Sequence, residues 1–247
     1  MGSPIQVWDL KRRQIKSVFT GHTHSIESLS FLPSGDVFAA DAMGRIKLWS
    51  LKSTSPVHEL SDKDDSKHLT CMAVSPISSV LSAGYMDGSL RIWDAVNHTS
   101  PNTLLRSQVC HQGKVSGIAC SPKNSRLVST VGLDGKLVLI DTGSRAANDI
   151  CAVSETGEVL TSLAFHEDGI HSAVGTIEGN ILLYDWRNLR HPVVNLPAHS
   201  PNPVNALAYQ VSSIIQTVHA SICACLLVIV PFALGCSQRK RFSFSCS

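Results

Sequence analysis

The chain carries eleven histidines and eight cysteines, the residue types from which metal centres, general bases and nucleophiles are made. Their spacing argues against all three. Cys71, Cys110, Cys120 and Cys151 do not form the paired spacing that zinc or redox chemistry requires. Three of them stand in strand-like runs and read as small core fillers in a reducing compartment. His22, His111 and His199 recur at one position of a repeated pattern, and a periodic residue is structural rather than catalytic. A nucleophile also needs a base held by a third group, and no Gly-x-Ser-x-Gly, Walker-type loop or His-Glu-x-x-His is present. The reading is therefore of a protein that is not an enzyme, with no catalytic residue, no cofactor and no metal.

One cluster stands apart, "YDWRNLRHP", where Tyr184 and Asp185 are followed by Trp186, Arg187, Arg190 and His191. Two readings stay open. Trp186 and the arginine stems pack on the edge of a strand, or the aromatic and arginines form a protein-binding hot spot. The segment also resembles the aromatic-Asp-x-Arg box of substrate receptors of cullin-RING ubiquitin ligases, where the Arg contacts the adaptor.

The elements that hold these residues come from a repeat. "MGRIKLWS", "DGSLRIWD", "GLDGKLVLID" and "EGNILLYD" each place a glycine five residues before a closing position held by Trp49, Trp93, Ile140 and Tyr184. Successive copies are 44, 47 and 44 residues apart, and Trp8 stands 41 before Trp49. Such a period belongs to propeller blades. In the third full copy the alternation and turn residues predict strands over Val115–Cys120, Arg126–Val131, Lys136–Asp141 and Asp149–Val153. "IESLSF", "LTCMAV" and "VLTSLAF" open the other full copies, and "VNALAY" from Val204 to Tyr209 opens a further one. "IQVWDL" and "QIKSVF" read as the last two strands of a blade that lacks its first half. The expected fold is an all-β WD-repeat propeller with four complete blades and partial blades at both ends, an incomplete ring whose uncovered edges leave it open to aggregation.

WD repeats are often braced by a network of a His ahead of the first strand, a Ser or Thr in the second, an Asp in the turn before the third, and the Trp of the third. His22, Trp49, Asp87, Trp93, His111, Asp134 and Tyr184 occupy such repeat positions, with no blade holding the whole set. Partial networks of this kind point to blades of modest stability.

Composition bounds the partners. With 21 Lys+Arg against 19 Asp+Glu the formal charge is +2, so nucleic acid is not expected as a ligand. The first residues lack the apolar core of a signal peptide. Residues 1–209 read as the partial propeller and 210–247 as a non-repeat apolar tail, unstructured or an artefact of the gene model. Ile222 to Leu234 is a continuous apolar run of 13 residues, short of the roughly 20 that a spanning helix needs. A membrane anchor is thus a minority reading, confined to 220–236, with Arg239, Lys240 and Arg241 as its cytoplasmic flank.

The run "HQGKVSGIACSPKNSRLVSTVGLDGKLVLIDTGSR" and the following "LTSLAFHEDGIHSAVGTIEGNILLYDWRNLRHPVVNLPAH" resemble the Nedd-type WD-repeat family of centrosomes and spindles, especially its plant form. The likeness covers about residues 1 to 209 and is most specific from 111 to 209. It implies an adaptor in microtubule organisation, located in the cytoplasm at the centrosome or spindle. Its implied partners are gamma-tubulin ring complex components or microtubule-associated proteins. In that family the propeller targets the protein, and a helical region beyond it holds the gamma-tubulin complex. No counterpart of that helical region is read in this sequence. The competing expectations are a ubiquitin-ligase substrate receptor and a membrane-anchored WD scaffold.

Overall fold

The structure is a computed structural model that describes residues 4–32, 34–53, 55–60, 67–78, 80–94, 103–143 and 150–209, together with the backbone of 226–228. All its elements are strands. β1 (Ile5–Asp9) and β2 (Gln14–Phe19) form a two-stranded sheet. Four four-stranded sheets follow. The first is β3 (Ile26–Phe31), β4 (Val37–Asp41), β5 (Ile46–Trp49) and β6 (Pro56–Leu60), and the second is β7 (Leu69–Val74), β8 (Val80–Tyr85), β9 (Ser89–Asp94) and β10 (Thr103–Val109). The third is β11 (Val115–Cys120), β12 (Leu127–Gly132), β13 (Lys136–Asp141) and β14 (Ile150–Glu155). The fourth is β15 (Leu160–Phe165), β16 (His171–Thr176), β17 (Asn180–Asp185) and β18 (Val194–Pro197). Each is an antiparallel meander in chain order, the signature of WD-repeat blades. The expected fold class, with four complete blades and partial ones at both ends, is borne out.

The strand bounds agree with the periodicity to within two residues. Val115–Cys120 and Lys136–Asp141 are strands as expected, while the strand expected from Arg126 begins at Leu127 and that expected from Asp149 begins at Ile150. Ser144, Arg145 and Asp149 lie outside the described residues. In the last copy the strand is short. β19 (Leu207–Tyr209) pairs antiparallel with β20 (Leu226–Val228), Leu207 opposite Val228. β20 lies where the sequence shows no repeat, because a three-residue apolar piece inside a uniformly apolar run carries no period to detect. The remaining tail residues, including the rest of the 220–236 run, lie outside the described residues. Among the described residues no helix is long and apolar enough to cross a membrane.

Burial explains the residue types along each blade. Second and third strands are covered on both faces, so β4 "VFAAD" is buried throughout and β9 "SLRIWD" nearly so. Fourth strands face water on one side and alternate, as in β14 "ICAVSE". The closing position sits at the centre of the covered layer: Trp49, Trp93, Ile140 and Tyr184 are all at or below 1% exposure. Trp8, at the same position of the two-stranded sheet, is 53% exposed, because two strands cannot cover both of its faces. Opposite this position the fourth strand carries an extra residue. The register skips Lys16 across from Val7/Trp8, Val57 across from Leu48/Trp49, Leu105 across from Ile92/Trp93 and Cys151 across from Leu139/Ile140. Such bulges bend and twist the outer strand.

The contacts divide the chain into two compact units, Met1–Ile118 and Ala119–Ser247, with the division falling inside β11. In the first unit the core runs through Phe38, Ile46, Leu60, Leu81, Tyr85 and Trp93, beside a second cluster in which Phe19 stacks on Trp49 at 5.2 Å. In the second unit Val131, Leu137, Leu163, Val174 and Tyr184 form the main cluster, with Trp186 packed against it.

The four cysteines among the described residues are free thiols, with Cys71, Cys110 and Cys120 half-buried. Cys151 is exposed, which corrects its reading as a core filler. It is the bulged residue of β14 and lies on the same exposed face of that strand as Val153 and Glu155.

Candidate functional site

A junction seen twice ties a blade to the start of the following repeat. β7 and β15 both carry a bulge at their second residue, Thr70 and Thr161, where the register skips. The bulge aims the hydroxyl sideways. Thr70 Oγ1 donates to the carbonyls of Gly84 at 3.0 Å and Val115 at 2.6 Å. Thr161 Oγ1 does the same with Gly175 at 3.1 Å and Val204 at 2.6 Å, and Ser162 Oγ adds a bond to the Val204 carbonyl at 2.7 Å. The valines sit in the space that glycine leaves. A Cβ on Gly84 would come within 2.7 Å of Val115, and one on Gly175 within 2.8 Å of Val204.

The turns before β9 and β17 make a second junction. Gly88 and Gly179 have φ of 83° and 88°, the left-handed region that glycine enters without strain. The carbonyl of Gly88 accepts the N–H of Cys110 and of His111, and that of Gly179 accepts the N–H of Ala198 and of His199. The chain entering the next repeat therefore lies against these glycines. A Cβ on Gly88 would collide with the carbonyl of His111.

His22 is buried and its Nδ1 lies 3.2 Å from Oδ2 of Asp41, itself wholly buried. Burial, the largest influence, lowers the His22 pKa against the hydrogen bond and charge of Asp41. Asp41 also accepts the N–H of Met43 and Arg45 and pairs with the Arg45 guanidinium at 3.3 Å. The partner aspartate is thus the last residue of β4, two positions before the expected turn site, where this blade has Met43. The Trp49 indole N–H has no hydrogen-bond partner among the described residues, so the expected chain from His to Trp stops at Asp41. Trp49 is held instead by the Phe19 ring.

The turn aspartates do a local job. Asp134 accepts the N–H of Lys136 at 3.2 Å. Asp87 accepts the N–H and hydroxyl of Ser89 and pairs with Lys67 at 2.8 Å. Partial burial works upward on the Asp87 carboxyl, but Lys67 and Ser89 outweigh it and bring its pKa down to about 2. Asp87 is 41% exposed at its side chain, so it is a turn cap rather than a member of a buried network. His111 is buried at the matching position of the next repeat.

The cluster at the end of β17 divides by residue. Trp186 is half-buried, 5.4 Å from the Phe165 ring, and its backbone N–H donates to the Ile170 carbonyl. Arg187 is exposed but not free: Nε and Nη2 reach the two oxygens of Asp185 at 2.9 and 2.6 Å. That hydrogen bond, the largest influence, holds the Asp185 pKa down to about 2. Arg190 and His191 are exposed. The packing reading accounts for Trp186, while Arg187 and Arg190 stand on the surface beside it.

Beside this cluster the structure brings together three residues that the sequence reading passed over. The β15–β16 turn, "HEDGIH", places His166, Asp168 and His171 around one point, with ligand-type atoms all within 4.8 Å of one another. His171 Nε2 stands 3.9 Å from Oδ2 of Asp185. The signal was available in the His-x-Asp-x-x-His spacing across a tight turn, but these histidines do not recur in the repeat.

Comparison with known proteins places the fold. The family described as nucleolar protein 10-like, N-terminal domain, a β-propeller, matches residues 32–225, and the WD domain, G-beta repeat, matches 13–50. Protein NEDD1 of Homo sapiens is 29% identical over 219 residues, covering 87% of this chain and 32% of that protein. The Bos taurus protein of the same name is 28% identical over 220 residues with the same coverage. Protein tipD of Dictyostelium discoideum is 26% identical over 187 residues, 74% of this chain and 29% of that protein. The resemblance to Nedd-type WD-repeat proteins is thereby borne out along most of the chain, which spans about a third of the length of these relatives.

Proposed function

Because the chain belongs to the nucleolar protein 10-like, N-terminal β-propeller family, we propose that it is a non-enzymatic WD-repeat adaptor in microtubule organisation. In this reading it targets gamma-tubulin complexes to nucleation sites at the centrosome or spindle. The observation that carries the proposal is the similarity to Protein NEDD1 over 87% of the chain. The matched portion is the propeller, the part to which the resemblance assigns targeting rather than capture of the nucleating complex. A propeller presents loops and strand edges on a rigid support, a geometry suited to protein contact.

Trp186, Arg187 and Arg190 are the proposed contact residues. Trp186 is anchored against the blade, and Arg187 is preset by Asp185, so both enter a contact with little ordering left to do.

The test is expression of the tagged full chain in dividing cells, read by imaging and by affinity purification. Enrichment at spindle poles or along spindle microtubules, with gamma-tubulin complex proteins in the purified fraction, is the expected result. A uniform cytosolic signal without those proteins overturns the proposal. A cullin adaptor recovered with the wild type and lost with Arg187→Ala replaces it with the ubiquitin-ligase receptor reading.

A further inference from the structure

The turn between β15 and β16 carries a cluster that the adaptor reading does not use. Oδ2 of Asp168 lies 3.0 Å from Nδ1 of His166 and 2.6 Å from Nδ1 of His171. The carboxylate is aimed by its own turn. Oδ1 accepts the N–H of Ile170 at 2.8 Å and of His171 at 3.0 Å, which leaves Oδ2 to the two rings. Gly169, at φ 71°, makes the reversal that brings His171 back beside His166. The three side chains are 20%, 32% and 34% exposed, so the point between them is reached from solvent on one side and walled by the blade on the other.

The geometry points to a binding site for a zinc-class divalent ion, held by His166 Nδ1, Asp168 Oδ2 and His171 Nδ1, with water in the remaining position. Zinc takes imidazole nitrogen at about 2.0–2.1 Å and carboxylate oxygen at about 2.0–2.2 Å in a tetrahedron, which sets ligand atoms roughly 3.3 Å apart. The observed separations reach that spacing by side-chain shifts on the order of 1 Å, within what partly exposed rings allow. Two imidazoles with one carboxylate favour zinc, cobalt or nickel over magnesium and calcium, which prefer all-oxygen shells.

The surroundings fit the same role. An ion on Nδ1 of His171 requires the ring proton on Nε2, and Nε2 faces Oδ2 of Asp185 at 3.9 Å. A carboxylate behind a ligating histidine fixes its tautomer and orientation, and Asp185 is itself held by Arg187. His166 is also packed edge-on to Tyr209 at 4.9 Å, the last residue of β19. An ion at this turn would therefore stiffen the start of the last repeat.

The full chain, stripped with a chelator, is titrated with Co2+ and followed by visible absorption, then back-titrated with Zn2+. One saturable Co2+ site per chain with tetrahedral d–d bands, displaced by Zn2+, is expected. Asp168→Asn and His171→Gln should each weaken it by about tenfold or more, while His24→Gln, in the other compact unit, leaves it unchanged. Circular dichroism checks that each variant is folded, and if Asp168→Asn disturbs the turn it normally caps, His171→Gln decides. Absence of a saturable site, or binding undiminished in a folded His171→Gln chain, overturns the proposal and leaves a metal-free His–Asp–His hydrogen-bonded turn.

Discussion

His22 donates from Nδ1 to Oδ2 of Asp41 across 3.2 Å, with both side chains at or below 1% exposure. The pair joins the entry loop of the first complete blade to the end of β4. Removing Asp41 leaves His22 Nδ1 and the backbone N–H groups of Met43 and Arg45 without their acceptor. Asp41→Ala should therefore lower stability by about 1–3 kcal/mol, the usual cost of leaving buried donors without an acceptor, measured by urea or thermal unfolding.

The same pair sets a pH dependence. The folded-state pKa of His22 is lowered, so below about pH 6.5, the ordinary value for an unfolded histidine, the unfolded chain takes up more protons at this site. The stability that neutral His22 contributes is complete above that value and is lost as pH falls through the lowered one. The drop in thermal midpoint between pH 7 and pH 5 should be shallower in His22→Gln than in the wild type.

Gly88 and Gly35 separate two kinds of glycine requirement. Both have positive φ, but a Cβ on Gly35 meets nothing within 4 Å, whereas one on Gly88 meets the backbone of His111 and Gly113. Gly35→Ala should cost about 1–2 kcal/mol from backbone strain alone. Gly88→Ala should exceed about 4 kcal/mol, because backbone cannot swing aside as a side chain does. Equilibrium unfolding of the two variants distinguishes these outcomes.

Thr161 and Ser162 share the Val204 carbonyl. Thr161→Val keeps the shape and removes one donor, so a loss of about 1 kcal/mol is expected. Hydrogen exchange should place the effect locally, with faster exchange at residues 204–209 and little change at 127–132.

Thiol reactivity should follow burial. Burial pushes the Cys71 and Cys110 thiols up to about 11, while Cys151 stands exposed on its bulge. Limited alkylation near pH 8, read by peptide mass spectrometry, should modify Cys151 before either of the other two.

The Arg187 side chain is 70% exposed, so its pair with Asp185 is screened by solvent. Arg187→Ala should leave the thermal midpoint unchanged. If the proposed contact surface is used, the same change together with Arg190→Ala should reduce recovery of the partner complex by tenfold or more.

The blades are written in the sequence. The glycine five residues before Trp49, Trp93, Ile140 and Tyr184, the alternation and the turn residues act within a few residues of one another, so strand order, strand bounds and the buried closing position follow from local pattern. What pairs across the chain does not. Asp41 stands away from the turn position where an aspartate is expected and is identified only because burial brings it to His22. Thr70 looks like any strand threonine until a bulge turns its hydroxyl toward Val115, 45 residues on. Trp8 stands at the closing position as Trp49 does, yet it is exposed because its sheet has two strands. His166, Asp168 and His171 lie close in sequence, but only the turn at Gly169 and the end of β17 decide that they converge beside Asp185. Local order is fixed by neighbours along the chain, whereas burial and hydrogen-bond pairing depend on which distant segment arrives, and that is settled when the sheets pack.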